Sequence, residues 1–267
     1  MDIMQILGYV GALMIGLVLG LIGGGGSILT VPVLVYLLAV NPVTATAYSL
    51  FVVGSSALVG AGKNLQKGQV GLKTALAFAI PAVIAVFSTR KFIVPAIPEK
   101  IIRISGFTLT KDIGIMLFFA VLMIMASFSM ILDKKKITEK AQKPSERNYW
   151  LLAPLGILTG LVTGLVGAGG GFIIIPILVL LAGLPMKKAV GTSLLIIAIN
   201  SLLGFLGDLG HMDINWVFLL IFTALAIAGI FLGVYLNRFF NGQKLKKAFG
   251  WFVLVMGIYI IWTEISG

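Results

Sequence analysis

Ten apolar runs, at about residues 5–22, 27–40, 44–61, 74–89, 112–132, 150–167, 172–184, 189–206, 215–236 and 248–264, leave only brief polar segments between them. A membrane-crossing helix needs about 20 residues, roughly 17–25, and most of these runs qualify. Inside hydrocarbon every backbone N–H and C=O must be satisfied by the protein itself, so such runs fold as helices. Only 11% of the residues are charged, against about 25% in a soluble domain. The expected class is an all-α polytopic membrane protein whose outer surface meets the lipid bilayer. The net charge of +11 does not indicate nucleic acid, because Lys and Arg are gathered in short loops between apolar runs. Cysteine is absent, which excludes thiol catalysis and cysteine-ligated clusters, and the single His211 leaves little for a metal. No cofactor is indicated. The N-terminus, Met1 to Gln5, has neither a basic region nor a small-residue cleavage pattern, so the first run is read as mature protein.

Two glycine clusters interrupt this pattern, Gly23-Gly24-Gly25-Gly26-Ser27 and Gly167-Ala168-Gly169-Gly170-Gly171, each followed at the same distance by a proline, Pro32 or Pro176. Glycine costs about 1 kcal/mol per residue in a helix relative to Ala, so each cluster breaks one. The runs that follow, 27–40 and 172–184, are too short to cross a membrane. Each cluster therefore either joins two legs of a hairpin or bends one long segment.

The halves of the chain are related by a shift of 144 positions, which carries Gly23 to Gly167, Gly25 to Gly169, Gly26 to Gly170, Pro32 to Pro176, Ser49 to Ser193, Gly60 to Gly204 and Gly106 to Gly250. The expected organisation is a first repeat over 1–132, a basic linker over 133–149 and a second repeat over 150–267. Charge counting separates the two geometries. With the linker in the cytoplasm and a hairpin at each cluster, 15 of the 20 Lys and Arg face inward, and Arg90, Lys91, Lys100, Arg103 and Lys111 face outward. With a bend instead, the split is 9 to 11. The positive-inside rule selects the hairpin. Each repeat then has five segments, the repeats are inverted, and both termini lie outside. The outward basic stretch is expected to include an interfacial helix around Pro98 to Ser105.

After each cluster a helix would begin inside the protein. Its first N–H groups lack intrahelical partners, and its dipole adds about half a positive charge. Two such ends converging from inverted copies would make a donor-rich pocket for an anion. The candidate site is Gly24, Gly25, Gly26 and Ser27 with Ala168, Gly169, Gly170 and Gly171; Thr30 adds a further hydroxyl. Side-chain contacts are assigned to Ser49, Ser56, Thr192, Ser193 and Asn200, because the register pairs Ser49 with Ser193 and Ser56 with Asn200. Positions seven apart lie on one helix face. The competing reading is that small residues merely let helices pack closely. Asp208, His211 and Asp213 are read as a solvated loop at a membrane edge, with a proton-coupling role for His211 as the alternative. Lys111-Asp112 is read as a helix start, its acid at the positive end. The spans hold almost no carboxylates away from their ends, which argues against a buried acidic proton relay.

No catalyst is expected. The glycine clusters lack the soluble βαβ context and ribose-binding acid of a dinucleotide fingerprint, and His211 has no Gly-x-Ser-x-Gly elbow to serve. The stretches Gly20-Leu-Ile-Gly-Gly-Gly-Gly-Ser-Ile-Leu-Thr-Val-Pro, Gly164-Leu-Val-Gly-Ala-Gly-Gly-Gly-Phe-Ile-Ile-Ile-Pro and Ala189-Val-Gly-Thr-Ser-Leu resemble the TauE/SafE family, the sulfite exporter or sulfonate uptake transporters. That resemblance implies secondary transport of a small sulfur-containing anion, sulfite or an organosulfonate, across the inner (plasma) membrane. The alternatives are an anion channel, or a membrane assembly protein in which the glycines only pack helices. Direction of transport, coupling through H+ or Na+, and oligomeric state stay open at this level.

Overall fold

The computed structural model describes residues 3–104, 107–132, 149–236 and 242–266. The linker assigned to 133–149 lies outside the described residues except for its last position. Among the described residues the elements are α1 (Ile3–Ile22), α2 (Gly24–Leu37), α3 (Pro42–Gln66), α4 (Leu72–Ala96), β1 (Lys100–Ile104), β2 (Phe107–Thr110), α5 (Lys111–Ile131), α6 (Tyr149–Val166), α7 (Gly171–Leu180), α8 (Met186–Leu206), α9 (Trp216–Leu236) and α10 (Gly242–Ser266). Six helices are long and apolar enough to cross a membrane, and α1, α2 and α6 contribute shorter apolar stretches. The chain is an all-α polytopic bundle.

Each glycine cluster reverses the chain. A Cβ placed on Gly8 would lie 2.8 Å from Leu38 Cδ1, one on Gly11 would lie 2.8 Å from Val33 Cγ1, and one on Gly26 would lie 2.9 Å from Leu19 Cα. These pairs run in opposite directions along the chain, so α2 folds back on α1. At the second cluster Gly170 lies against Thr163 and Thr159, and beyond it Ile174 and Leu178 of α7 share a buried cluster with Leu152 of α6. The turns use backbone that only glycine adopts cheaply: φ is +77° at Gly23, and +72°, +67° and +70° at Gly167, Gly169 and Gly170.

The helices pair across the two halves. α1 lies along α9, and α4 along α6; α3 packs on α8, α5 on α10, and α2 touches α7. Close approach along α1–α9 follows from facing glycines four apart, Gly16 and Gly20 against Gly229 and Gly233: a Cβ on Gly20 would be 2.9 Å from Gly233 Cα. Gly156, Gly160 and Gly164 of α6 do the same against α4, meeting Phe78, Ala82 and Ala85, and Thr89 in turn. Both pairs are parallel. By contrast α3 and α8 are antiparallel, Gly54 facing Leu202 and Gly60 facing Leu194, as are α5 and α10, where Gly250 meets Met130 and Gly257 meets Ile124.

Two expectations are corrected here. The helix expected around Pro98 to Ser105 is absent among the described residues; Lys100–Ile104 pairs antiparallel with Phe107–Thr110, Ile102 opposite Leu109. Ile101, Ile102, Ile104, Thr108 and Thr110 are β-branched, and the Ser105-Gly106 dipeptide is turn chemistry. The second correction concerns Arg90. It does not begin an outer loop, because α4 continues to Ala96 and Arg90 is fully buried. At the start of α5 the helix opens at Lys111 with Asp112 in its first turn, and the Thr110 side chain accepts a hydrogen bond from the Ile113 N–H.

Candidate functional site

The two clusters meet. A Cβ on Gly24 would lie 2.7 Å from Gly171 Cα and 2.5 Å from Ile197 Cδ1, so the backbones of α2 and α7 touch at their first residues, beside the middle of α8. Gly169 faces Val53, Ile197 and the Ser201 Oγ, the last at 3.3 Å from its Cβ position. The tips overlap: Gly23 reaches Val190 near the start of α8, and Gly167 reaches Thr46 near the start of α3. Gly24 to Ser27, and Ala168 to Gly171, are all buried. Gly25 and Gly26 turn away from the contact, Gly25 toward Ile22 and Met130, Gly26 onto the α1 backbone.

The elements that meet here carry a set of neutral polar side chains, of which Thr163 lies against Gly170 and Ser201 against Gly169. Thr30, Ser56, Thr163, Asn200 and Ser201 are buried, and their side-chain polar atoms have no hydrogen-bond partner in the described structure. An amide or hydroxyl buried without a partner costs about 1–3 kcal/mol, so a cluster of five is an arrangement that stability alone does not favour. Asn200 leaves both Oδ1 and Nδ2 unmatched. Ser56 and Asn200 occupy equivalent positions of the two halves, on helices that cross between Gly54–Leu202 and Gly60–Leu194. None of these residues is ionisable.

The other side chains proposed from the sequence are occupied. The Ser27 hydroxyl donates to the Gly24 carbonyl at 2.8 Å, and Ser193 donates to Val190 within its own helix at 2.8 Å. Ser49 donates to the Gly167 carbonyl at 2.7 Å, tying α3 to the second break, while the Thr192 hydroxyl accepts the Gly71 N–H at 2.9 Å and anchors the start of α4. Thr163 escaped the sequence reading. Its signal was present: Thr159 and Thr163 are four apart on α6 immediately before the second cluster, and therefore share the face that turns toward it.

Asp208 is not a solvated loop residue. It is 3% exposed and paired with Arg90, whose Nε donates to Oδ1 at 2.9 Å and Oδ2 at 2.8 Å. Arg90 Nη1 donates to Thr46 Oγ1 at 2.9 Å and to the Gly164 carbonyl at 3.2 Å. Burial pushes the Asp208 carboxyl above the usual carboxylate range, and the Arg90 guanidinium pulls against that shift. His211 and Asp213 are exposed, as read from the sequence. On the same end of the bundle is a cleft of about 280 Å³ lined by Tyr9, Leu38, Val40, Thr44, Tyr48, Asn215 and Phe218.

Long apolar helices, chain reversals within the bundle and a buried polar centre together define a multi-pass membrane protein of the transporter kind. The family model described as sulfite exporter TauE/SafE matches residues 9–260, and the chain belongs to that family. It is 30% identical over 255 residues to a probable membrane transporter protein of Xylella fastidiosa, covering 94% of this chain and 92% of that one. The probable membrane transporter protein YunE of Bacillus subtilis is 28% identical over 268 residues, covering 95% and 96%. A third relative, MJ0441 of Methanocaldococcus jannaschii, also a probable membrane transporter protein, is 34% identical over 125 residues, 43% of this chain and 47% of that one. No solved structure matches the chain significantly.

Proposed function

We propose that the protein is a secondary transporter that moves a small sulfur-containing anion, sulfite or an organosulfonate, across the plasma membrane by alternating access. The anion is held where the first N–H groups of α2 and α7 converge, with Ser56 and Asn200 supplying side-chain donors and Thr30, Thr163 and Ser201 joining them. The observation that carries this reading is the set of unpartnered buried polar groups on the elements that meet at the glycine breaks, with Thr163 against Gly170 and Ser201 against Gly169. Neutral donors and helix dipoles suit an anion that must also leave again, since they attract it without a fixed opposite charge. The backbone contact at Gly24 favours a closed, gated site over a continuous pore.

The repeats are proposed to be inverted. Equivalent helices α3 and α8 run antiparallel, as do α5 and α10, which supports a pseudo-twofold axis lying in the membrane plane. The linker is placed in the cytoplasm and both termini outside; burial of Arg90 removes one charge from the outward tally and strengthens that bias. The test is reconstitution into liposomes and measurement of sulfite, sulfate, sulfoacetate and taurine flux. Saturable flux that accumulates one of them against its gradient is expected. Failure to bind or carry all four overturns the proposal, and unsaturable downhill flux replaces it with a channel.

A further inference from the structure

Arg90 is the largest side chain among the fully buried residues, and no local feature of α4 compensates its charge. It sits under the turn that links α8 to α9, with its Cβ 3.0 Å from the Cβ position of Gly207. The Asp208 carboxylate grips the edge of the guanidinium: Nε reaches both oxygens, and Nη2 lies 2.8 Å from Oδ2 without being aligned on an acceptor. Asp208 is thus held side-on through one N–H shared by both carboxylate oxygens, and the unaligned Nη2 is left to complete the two-nitrogen fork that guanidinium groups make with carboxylates, phosphates and other oxyanions. The remaining nitrogen, Nη1, contacts Gly164 and Thr46, which lead directly to the second glycine break through the Thr46–Gly167 contact. The 144-residue shift relates Arg90 to Val234 and Asp208 to Asn64, so the pair exists in one half of the register only.

We infer that Arg90 is a second oxyanion-recognition position, beneath the α8–α9 turn, and that the Asp208 carboxylate occupies it until an incoming sulfonate- or sulfite-type anion displaces it. This rests on the anion-transport reading of the glycine site. A buried guanidinium left without a partner is strongly disfavoured, so Asp208 is released only as another anion arrives. The exchange conserves charge at Arg90, and the released carboxylate swings to the exposed rim of the turn, where Leu209, Gly210 and His211 already meet solvent. The groups facing Asp208 are Arg90 from α4 and His211 from its own turn; α3 and α6 bring the Thr46 hydroxyl and the Gly164 carbonyl to Arg90 itself. The turn is thereby opened by the cargo.

The test follows the amides of Asp208 and His211, whose N–H groups donate to the Phe205 and Asp208 carbonyls at 3.0 and 3.1 Å. Hydrogen exchange of the purified full chain is measured with sulfoacetate, sulfite or sulfate against chloride at equal ionic strength. Exchange of these amides is expected to rise roughly tenfold or more with whichever probe the reconstituted protein carries. The neutral pair Arg90→Gln with Asp208→Asn removes both charges together and leaves two amides that can still bond to each other, at the loss of the Nη1 bonds to Thr46 and Gly164; it is expected to exchange fast without anion, to ignore its addition, and to raise KM for flux. Arg90→Lys retains the charge without the fork and should raise KM less. A parent protein that carries a probe while its turn does not respond overturns the inference and leaves the glycine-site proposal standing. So does a neutral pair with parental KM and exchange. Absence of flux for every probe in the parent removes both.

Discussion

Replacement of Asn200 by Leu separates a binding role from a packing role. Asn200 is wholly buried, and neither of its amide atoms meets a partner. The two unmatched groups together cost about 2–6 kcal/mol, while a Leu side chain, branched alike but bulkier by two methyl ends, introduces overpacking strain of about 1–3 kcal/mol in a tight core. The balance is a gain of about 1–3 kcal/mol for Asn200→Leu in the absence of ligand. Ligand linkage runs the other way: at 100 times Kd, a bound anion stabilises the parent by about 2.7 kcal/mol, and the variant has lost that response. The assay is thermal unfolding in detergent followed through the four tryptophans, with and without the transported anion, beside flux in liposomes. A more stable, ligand-insensitive and transport-dead variant is expected. If Asn200→Leu is instead destabilised by more than about 2 kcal/mol, the amide serves the fold; if it keeps its ligand shift, the site lies elsewhere.

Three further outcomes follow from the same geometry. Ser49→Ala removes the bond to the Gly167 carbonyl and should lower stability by about 0.5–1.5 kcal/mol, read as a lower melting temperature with the transported anion still bound. Gly25→Ala should fold, since its new Cβ meets nothing closer than Ile22 Cγ2 at 3.3 Å, and transport then reports on the site; Gly167→Ala should fail to accumulate, because φ is +72° and Thr46 Cα lies 2.6 Å from the new methyl. Lowering pH should loosen the Arg90–Asp208 pair at milder acidity than for an ordinary carboxylate, because burial holds the Asp208 carboxyl up; turn exchange, corrected for its intrinsic pH dependence, should rise as pH falls and stay flat in the neutral pair.

Much of the bundle is legible in the sequence because hydrocarbon leaves few options. The ten apolar runs correspond to the ten helices, and the short runs after each glycine cluster correspond to α2 and α7. The register that pairs Ser56 with Asn200 picked out the two equivalent side chains that stay unpartnered. Ser49, Thr192 and Ser193 look identical to them in the sequence, since nothing local reveals that a hydroxyl is spent on Gly167, Gly71 or Val190. Arg90 was misplaced for a related reason. A run of hydropathy ends at its first charge, but the partner that lets α4 continue is Asp208, 118 residues away. The β-branched residues of Lys100 to Ile104 and the alternation of Phe107 to Thr110 carry a strand signal, but they lie among basic residues of the kind that also mark an interfacial helix.

The pairing of α1 with α9, and of α4 with α6, has a consequence for synthesis. When the ribosome has completed the first half, α1 and α4 present the faces that Gly229, Gly233, Gly156 and Gly160 will later cover, and those partners do not yet exist. The first half is therefore an open intermediate in the bilayer, with its glycine-lined seams waiting. Assembly of the transporter is an interlocking of two incomplete pieces, in which the seam on α1 closes only when α9 inserts beside a helix made some two hundred residues earlier.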